Sequence, residues 1–337
     1  MKRLCLLFTA PNKVVIQEEE LTAPGTGQVL VRTELSAISP GTEMLIYRGD
    51  FPGDLAVDET INSLPGAFTY PMRYGYSAVG RVIALGPDVD PAWEGRLVFS
   101  FQPHASHYIA GTETVMLVPE GLSSEQACFL PNMETAVNFL MDGAPLLGER
   151  VVVFGQGIVG LLTTSLLARF PLGCLVTLDR FARRRQASLS AGASASLDPA
   201  AEDIDEQLHQ LLGEADLIYE LSGASAALNQ AIRLTGFSGR VVIGSWYGTK
   251  RVELDLGGSF HRSRIRLISS QVSSLSPELS GRWDKARRFS LTWQMIAKTD
   301  PDRWITHRFP LNRAAEAYEM LDQSPQEAIQ VLLTYPT

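Results

Sequence analysis

The sequence predicts an α/β protein in which a β-rich part is combined with a doubly wound parallel sheet. Over residues 1–120, short apolar runs are separated by Gly and Pro, a pattern typical of β-strands joined by turns. From 151 to 270, strand-like runs alternate with helix-forming stretches, which favours a parallel sheet covered on both faces. A glycine-rich turn at 155–160 joins the first of these runs to a helix.

This turn reads Gly-Gln-Gly-Ile-Val-Gly and is the most informative motif in the chain. The first glycine allows a tight bend, the second lets backbone approach a pyrophosphate, and the third lets the helix pack close to the sheet. Free N–H groups at the start of that helix attract phosphate. Nineteen residues after Gly160, a second strand ends at Asp179, the spacing of an acid that accepts from ribose hydroxyls. The unit predicts a bound dinucleotide, and a tight turn without a ligand is the alternative.

Further cofactor contacts are expected where parallel strands end, because their carboxyl ends face the dinucleotide. Asp179 favours NAD, since a 2′-phosphate would meet a like charge, whereas Arg180 and Arg184 offer partners for that phosphate. NAD is therefore the prediction, with NADP left open. The predicted contacts are Gly155, Gly157, Ile158, Val159, Gly160, Asp179, Arg180, Arg184, Ser222, Gly244, Ser245 and Ser270.

Composition limits the partners. The 337 residues carry a net charge of −8, which argues against nucleic acid or an anionic membrane surface. No apolar run approaches the roughly 18 residues that span a bilayer, and the first residues lack the apolar core of a signal peptide. The three cysteines lie far apart, so they predict neither a disulfide framework nor a C-x-x-C metal site. We expect a cytoplasmic protein with a small-molecule substrate.

The other elements are predicted from local patterns. Ser123 opens a cap-like sequence, so a helix is expected from about 124 to 142. Pro-Gly pairs and acids over 50–70 indicate an exposed loop. Later strands are expected at 217–221, 240–244, 265–269 and 329–334, and later helices at 282–298 and 312–321.

Four segments make the chain resemble the medium-chain dehydrogenase/reductase family, the relatives of zinc alcohol dehydrogenase. They are Leu-Ser-Ala-Ile-Ser-Pro-Gly-Thr-Glu at 35–43, Tyr-Gly-Tyr-Ser-Ala-Val-Gly-Arg-Val at 74–82, the glycine turn at 155–160, and Ile-Thr-His-Arg-Phe-Pro-Leu at 305–311. The first is similar to a stretch of the bacteriochlorophyllide a dehydrogenase-like subgroup.

This resemblance implies a GroES-like β-rich catalytic domain at 1–123 and 296–337, with a Rossmann domain at 124–295 inserted between them. It also implies an active site in the cleft between the domains, a nicotinamide cofactor beside Thr135, and a homodimer.

The chain departs from the family where zinc would bind. The first cysteine position falls on Pro40 or Ser39, the Gly-His-Glu stretch reads Gly-Tyr-Ser at 75–77, and the later ligand position falls near Pro131. Proline has no ligand atom in its side chain, and tyrosine and serine are poor zinc ligands. We therefore expect no zinc. Zinc would polarise a carbonyl and lower the pKa of an alcohol, so without it another donor must stabilise developing negative charge.

Three side chains are the candidates for that chemistry. Tyr76 stands at a former ligand position, where its hydroxyl is able to donate to a carbonyl oxygen or only to fill the empty zinc volume. Glu43 occupies the position of an acid near the metal in relatives, and a structural acid bonded to an arginine or to backbone is the favoured alternative. Glu134 is a proton acceptor or a residue on the helix surface.

Weaker candidates accompany them. Relatives place proton-relay or phosphate-contacting side chains near Tyr47 and Arg48. His104 and His107 lie three apart in a Pro-containing loop without a third ligand, so ordinary polar residues or a substrate pocket are favoured over a metal site.

The leading hypothesis is a zinc-independent NAD(P)-dependent oxidoreductase. It would transfer hydride between nicotinamide and a carbonyl, an alcohol or an activated alkene of a small organic molecule. One alternative is oxidation of a hydroxyethyl side chain on a tetrapyrrole, which only the subgroup resemblance supports. Another is a nucleotide sensor or structural protein that kept the fold and lost the chemistry.

Overall fold

The computed structural model describes residues 1–53, 61 and 63–336. The chain forms two compact units, Met1–Pro131 with Asp300–Thr337, and Asn132–Thr299. The second unit begins at 132 where the sequence predicts 124, and ends at 299 where the sequence predicts 295. The N-terminal boundary falls after Pro131, within a helix that spans Leu130–Gly143.

The described helices and strands alternate in type along the second unit and are mostly strands in the first. In chain order they are β1 Lys2–Ala10, β2 Lys13–Glu20, β3 Gln28–Ile38, α1 Pro40–Arg48, β4 Ala78–Leu85, β5 Leu97–Ser100, β6 His107–Gly111, β7 Met116–Leu117, α2 Ser124–Ala127, α3 Leu130–Gly143, β8 Arg150–Phe154, α4 Ile158–Leu167, β9 Cys174–Leu178, α5 Ala182–Ser190, β10 Ala195–Leu197, α6 Ile204–Leu212, β11 Ala215–Glu220, α7 Ser225–Leu234, β12 Thr235–Ile243, β13 Arg266–Ser269, α8 Lys285–Thr299, β14 Ile305–Pro310, α9 Ala314–Gln323 and β15 Gln330–Thr334.

The first unit is built on an antiparallel β1–β2 pair and a larger sheet in the order β14-β15-β3-β4-β5-β7, with β6 paired to β3. Strand β15 comes from the C-terminal part of the chain and pairs antiparallel with β3. The N-terminal and C-terminal segments therefore share one sheet and one core, which includes Phe8, Ile38 and Tyr318.

The second unit is a six-stranded sheet in the order β10-β9-β8-β11-β12-β13, and every pairing in it is parallel. The strand order reverses between β8 and β11. In a doubly wound sheet, ligands bind outside the carboxyl ends of the strands at this reversal. The fold class predicted from the sequence, a GroES-like β-rich domain plus a Rossmann domain, is confirmed.

Two local predictions are wrong. The helix expected over 124–142 is two helices, α2 and α3, with Cys128 and Phe129 between them. The exposed loop expected over 50–70 is partly buried among the described residues, because Leu64 and Phe68 pack into the core of the first unit. Residues 54–60 and 62 of that loop lie outside the described residues.

Candidate functional site

Helix α1 presents the first group of candidate residues. Pro40 stands at the first helical position, where its fixed φ suits the helix and its missing N–H is not needed. Ser39 is the N-cap, but its side chain makes no capping hydrogen bond. Its hydroxyl instead accepts from the hydroxyl of half-buried Tyr76, which also lies 3.4 Å from Oγ1 of Thr42. Three hydroxyl groups thus meet at the position where the family resemblance expects zinc ligands.

Glu43 lies one turn into α1 and is fully buried. Its Oε1 accepts from the backbone N–H of Ser39 at 2.7 Å. Its Oε2 lies 3.0 Å from Nε2 of His104 and accepts from the Tyr318 hydroxyl at 2.5 Å. Burial and the Glu43 carboxylate raise the pKa of Tyr318 well above its usual value, so Tyr318 remains a donor. The favoured sequence interpretation of Glu43, a structural acid bonded to an arginine or to backbone, agrees with these contacts as far as the backbone is concerned, and its side-chain partners are His104 and Tyr318.

The network continues beyond His104. Nδ1 of His104 lies 2.7 Å from the Ser36 hydroxyl, which lies 2.7 Å from the hydroxyl of Tyr335. Ser36, His104 and Glu43 have the residue types of a nucleophile, a base and an orienting acid. All three are 0% exposed, so a substrate carbonyl has no access to the Ser36 oxygen, and the arrangement is not a hydrolytic site.

These residues do not fit zinc. The hydroxyls of Tyr76 and Ser39 are bonded to each other, and both oxygens are poor zinc ligands when protonated. In the part of the chain that the structure describes, no group of three or more His, Cys, Asp or Glu side chains is arranged to hold a metal ion.

The glycine turn follows β8, as the sequence predicts. Gly155 has φ +87°, and a Cβ at Gly160 would lie 1.9 Å from the carbonyl oxygen of Gly155. Gly157 is different, because the nearest atom to its Cβ position is Nη1 of Arg184 at 3.9 Å. Helix α4 begins at Ile158, directly after Gly157, which has no side chain to cap the helix. The open side of Gly157 and the uncapped N–H groups suit a pyrophosphate.

The Asp179 carboxylate is 7% exposed and adjoins this turn. Its Oδ2 accepts from the backbone N–H of Gln156 at 2.7 Å, and its Oδ1 accepts from that of Phe181 at 2.8 Å. The guanidinium groups of Arg180 and Arg184 lie 4.5 and 4.9 Å from the centre of the Phe181 ring. The fixed acid and two arginines thus share one edge of the predicted nucleotide site.

The carboxyl end of β11 carries a buried acid that the sequence analysis missed. Oε1 of Glu220 accepts from Ser222 through both its N–H and its hydroxyl, and Oε2 accepts from Tyr247 at 2.8 Å. The Ser245 hydroxyl accepts from the N–H of Gly223 at 2.8 Å. Two predicted cofactor residues, Ser222 and Ser245, therefore belong to one bonded turn held by Glu220. The available signal was an acid at the end of an apolar strand.

Glu134 is 4% exposed, so the helix-surface alternative is wrong. Its carboxylate binds the guanidinium of Arg288, which is itself fully buried and was not singled out from the sequence. The Ser270 hydroxyl is also hydrogen-bonded within the protein: it donates to Asp142 at 2.5 Å and accepts from Asn138 at 3.1 Å. These contacts do not test whether Glu134 or Ser270 meets a ligand.

The remaining candidates are scattered. Thr135 is half-buried on α3. Gly244 packs against the Phe139 ring so closely that an added Cβ would lie 2.3 Å from it. Tyr47 is buried against Tyr318, and Arg48 pairs with Asp322. His107 lies 3.0 Å from the Ser106 hydroxyl, outside the Glu43 network.

Comparisons with known proteins agree with the fold and the turn. Residues 159–290 match the family described as "Zinc-binding dehydrogenase". The chain is 24% identical to D-guloside 3-dehydrogenase of Escherichia coli K12 over 350 residues, covering 98% of this chain and 99% of that protein. Two solved structures align with 99% of both chains. They are an alcohol dehydrogenase from E. coli CFT073 complexed with NADH, at TM-score 0.80 and 19% identity, and a zinc-binding dehydrogenase from Sinorhizobium meliloti 1021 bound to NADP, at TM-score 0.78 and 18% identity.

By these matches the chain is similar to zinc-type alcohol dehydrogenase-like proteins of the medium-chain dehydrogenase/reductase family. It is an enzyme, an oxidoreductase. Among the described residues, no helix has both the length and the apolar character needed to cross a bilayer.

Proposed function

We propose that this enzyme is a zinc-independent, NAD-dependent dehydrogenase that acts on a small alcohol or carbonyl compound. The first substrate class to examine is a secondary alcohol of a sugar derivative, because a relative is named D-guloside 3-dehydrogenase. The observation that carries the zinc-free part is the hydrogen bond from the Tyr76 hydroxyl to the Ser39 hydroxyl, where the family resemblance expects metal ligands.

The cofactor, when bound, accepts or supplies the hydride at its nicotinamide ring. In carbonyl reduction, the Tyr76 hydroxyl gives its proton to the substrate oxygen while the hydride adds to the carbon. The hydroxyls of Ser39 and Thr42 then rotate to donate to the tyrosinate oxygen, which replaces part of the stabilisation that a metal would provide. Alcohol oxidation would be the reverse: once Tyr76 has released its own proton to solvent, its oxygen would take the proton of the substrate hydroxyl.

NAD is the proposed form of the cofactor because the Asp179 carboxylate adjoins the glycine turn and would repel a 2′-phosphate. Arg180 and Arg184 oppose this preference, since a guanidinium binds phosphate well. Binding of NADH and NADPH by titration calorimetry decides between the two forms. Tighter binding of NADPH would overturn the NAD assignment and leave the oxidoreductase assignment intact.

The function is tested with purified protein of measured metal content. Oxidation of a panel of sugar alcohols, glycosides and secondary alcohols is followed at 340 nm with NAD, and reduction of ketones and conjugated enones with NADH. Turnover by protein that has been dialysed against a chelator and contains less than about 0.1 zinc per chain is the expected result. Turnover that needs stoichiometric zinc would overturn the zinc-free proposal.

The role of Tyr76 is tested by Tyr76→Phe, which removes one oxygen. A fall in kcat of about 100-fold or more is expected, the usual size of a general acid–base contribution. Tyr70→Phe is the matched control, because Tyr70 is also half-buried and donates its hydroxyl to the carbonyl of Ile46 in the same unit. Equal rates for both variants would remove Tyr76 from the chemistry.

The rival functions have less support. A sensor without chemistry is disfavoured because the chain belongs with named dehydrogenases. Hydride addition to an activated alkene stays open, and the enone arm of the assay tests it. The tetrapyrrole substrate and the homodimer remain predictions.

A further inference from the structure

His104 contacts both segments that carry the Tyr76–Ser39 hydroxyl pair. On one side, its Nε2 binds Glu43, whose other carboxylate oxygen accepts from the Ser39 N–H. On the other side, the backbone N–H of His104 donates to the backbone carbonyl of Tyr74 at 3.2 Å. The imidazole also lies under Gly75, where an added Cβ would come within 2.8 Å of the ring. The buried His104 therefore contacts Gly75, which precedes Tyr76, and Glu43, which accepts from the Ser39 N–H.

The protons in this network can be assigned so that each of its groups is used. Tyr318 donates to Glu43, so the carboxylate acts as an acceptor. With Tyr335 donating to Ser36 and Ser36 donating to Nδ1 of His104, the ring hydrogen lies on Nε2 and faces Glu43. With these assignments, every named hydroxyl and ring nitrogen is used. A network that is buried and fully satisfied holds its members rigidly.

We infer that His104 is a positioning residue, which acts through Glu43 on Ser39 and through Gly75 on Tyr76 to keep the two hydroxyls in bonding contact. The inference rests on the proposed role of Tyr76 as proton donor. Placement matters because a proton donor displaced by about 1 Å costs about 100-fold in rate. His104 and Glu43 are 0% exposed, so neither touches the substrate. Their contribution reaches the substrate only through the hydroxyl pair.

The main test compares His104→Leu with His104→Gln. Leucine removes the hydrogen bond to Glu43, whereas glutamine keeps an N–H donor close to the position of Nε2. We expect kcat to fall about tenfold to 100-fold in His104→Leu and to recover in part in His104→Gln. Binding of NADH, measured by calorimetry, should stay unchanged in both. His107→Leu, which alters a histidine on the same segment outside the network, should keep wild-type kcat.

A double-mutant cycle separates positioning from general destabilisation. If His104 acts through Tyr76, His104→Leu lowers kcat in the wild-type background but has little effect when Tyr76→Phe is already present. Equal fold-losses in both backgrounds would overturn the inference. If Tyr76→Phe itself retains full kcat, the proposed role of Tyr76 as proton donor fails instead, so the two failures are distinguishable.

If the His104 variants fail to fold, Ser36→Ala supplies a milder change in the same network. Ser36→Ala deletes only the hydroxyl that donates to Nδ1 of His104. We expect a smaller fall in kcat than for His104→Leu, again absent in the Tyr76→Phe background, with a cooperative thermal transition retained. A Ser36→Ala protein that folds and keeps the wild-type kcat, together with full activity of His104→Leu, would also overturn the inference.

Discussion

Nη2 of Arg288 lies 2.7 Å from Oε1 of Glu134, and both side chains are buried in the second unit. Nε of Arg288 binds the same oxygen at 3.1 Å, and Nη1 donates to Oδ1 of Asn138 at 2.6 Å. Nη2 also donates to the carbonyl of Val272. The guanidinium thus joins helix α3, helix α8 and the segment that follows β13. Burial raises the pKa of Glu134, and the charge of Arg288 opposes that rise.

Removal of the Arg288 guanidinium should strongly destabilise the fold, because it leaves the buried Glu134 carboxylate without its counter-charge. Arg288→Met is expected to lower the free energy of unfolding by about 3–5 kcal/mol. The double variant Arg288→Met, Glu134→Gln should recover part of that loss, since the uncompensated charge is gone. Chemical denaturation followed by circular dichroism measures both values.

Arg287→Met is the control, because Arg287 is the adjacent residue on α8 and is exposed. Its exposed guanidinium stacks on Trp283 and donates to the carbonyl of Arg282, so the effect should stay within about 1 kcal/mol. An Arg288→Met protein as stable as Arg287→Met would contradict the interpretation of the buried pair as an interdependent unit.

The glycine turn was predictable from the sequence and the Arg288–Glu134 pair was not, because the first is local and the second is not. The glycine turn is local, because its bend, its helix and the acid at 179 lie within one βαβ segment with a fixed spacing. Arg288 reaches Glu134 across 154 positions of the chain, and nothing near either residue indicates the other. The fold class was predictable for the same reason, since alternation of strands and helices is a local pattern.

The second prediction concerns pH and Asp142. Burial raises the pKa of Asp142, and the hydrogen bonds from Ser270 and Asn138 oppose that rise. A folded-state pKa above the unfolded one stabilises the protein fully below the unfolded pKa, and this contribution is lost as pH rises through the folded pKa. Asp142→Asn keeps an acceptor oxygen and removes the titration. The Tm of the variant minus that of wild type should therefore increase from about pH 4 upward.

The check is a set of thermal melts from pH 4 to 8 in one buffer series. If the Tm difference for Asp142→Asn decreases with rising pH, the raised pKa is wrong.

The contact between the Tyr76 and Ser39 hydroxyls was not predictable from the sequence. The sequence identified Tyr76 and Ser39 separately as replacements for zinc ligands, and the structure brings their oxygens together. His104 was weighed as a pocket or metal residue from its proximity to His107. Its actual partners, Ser36 and Glu43, lie 68 and 61 positions away and meet it only because β3, α1 and the segment before β6 fold together.

The last prediction separates the two roles of glycine in the turn. Gly157 has φ −65°, and its Cβ position has only Arg184 within 4 Å, at 3.9 Å. Gly157→Ala should therefore fold with an unchanged Tm. The added methyl group occupies the open side where the pyrophosphate would approach, so the Kd for NADH should increase about tenfold or more, equal to about 1.4 kcal/mol.

Gly160→Ala should give the opposite pattern, because its Cβ would meet the backbone oxygen of Gly155 at 1.9 Å, and helix α4 would have to shift. A loss of about 1–3 kcal/mol in the free energy of unfolding is expected from that overpacking. Thermal melts and calorimetric titration with NADH on both variants supply the comparison. Because Gly157→Ala perturbs the ligand surface and leaves the packing intact, weakened binding without destabilisation assigns the open side of Gly157 to the dinucleotide. A Gly157→Ala protein that binds NADH as tightly as wild type would remove the pyrophosphate from this position.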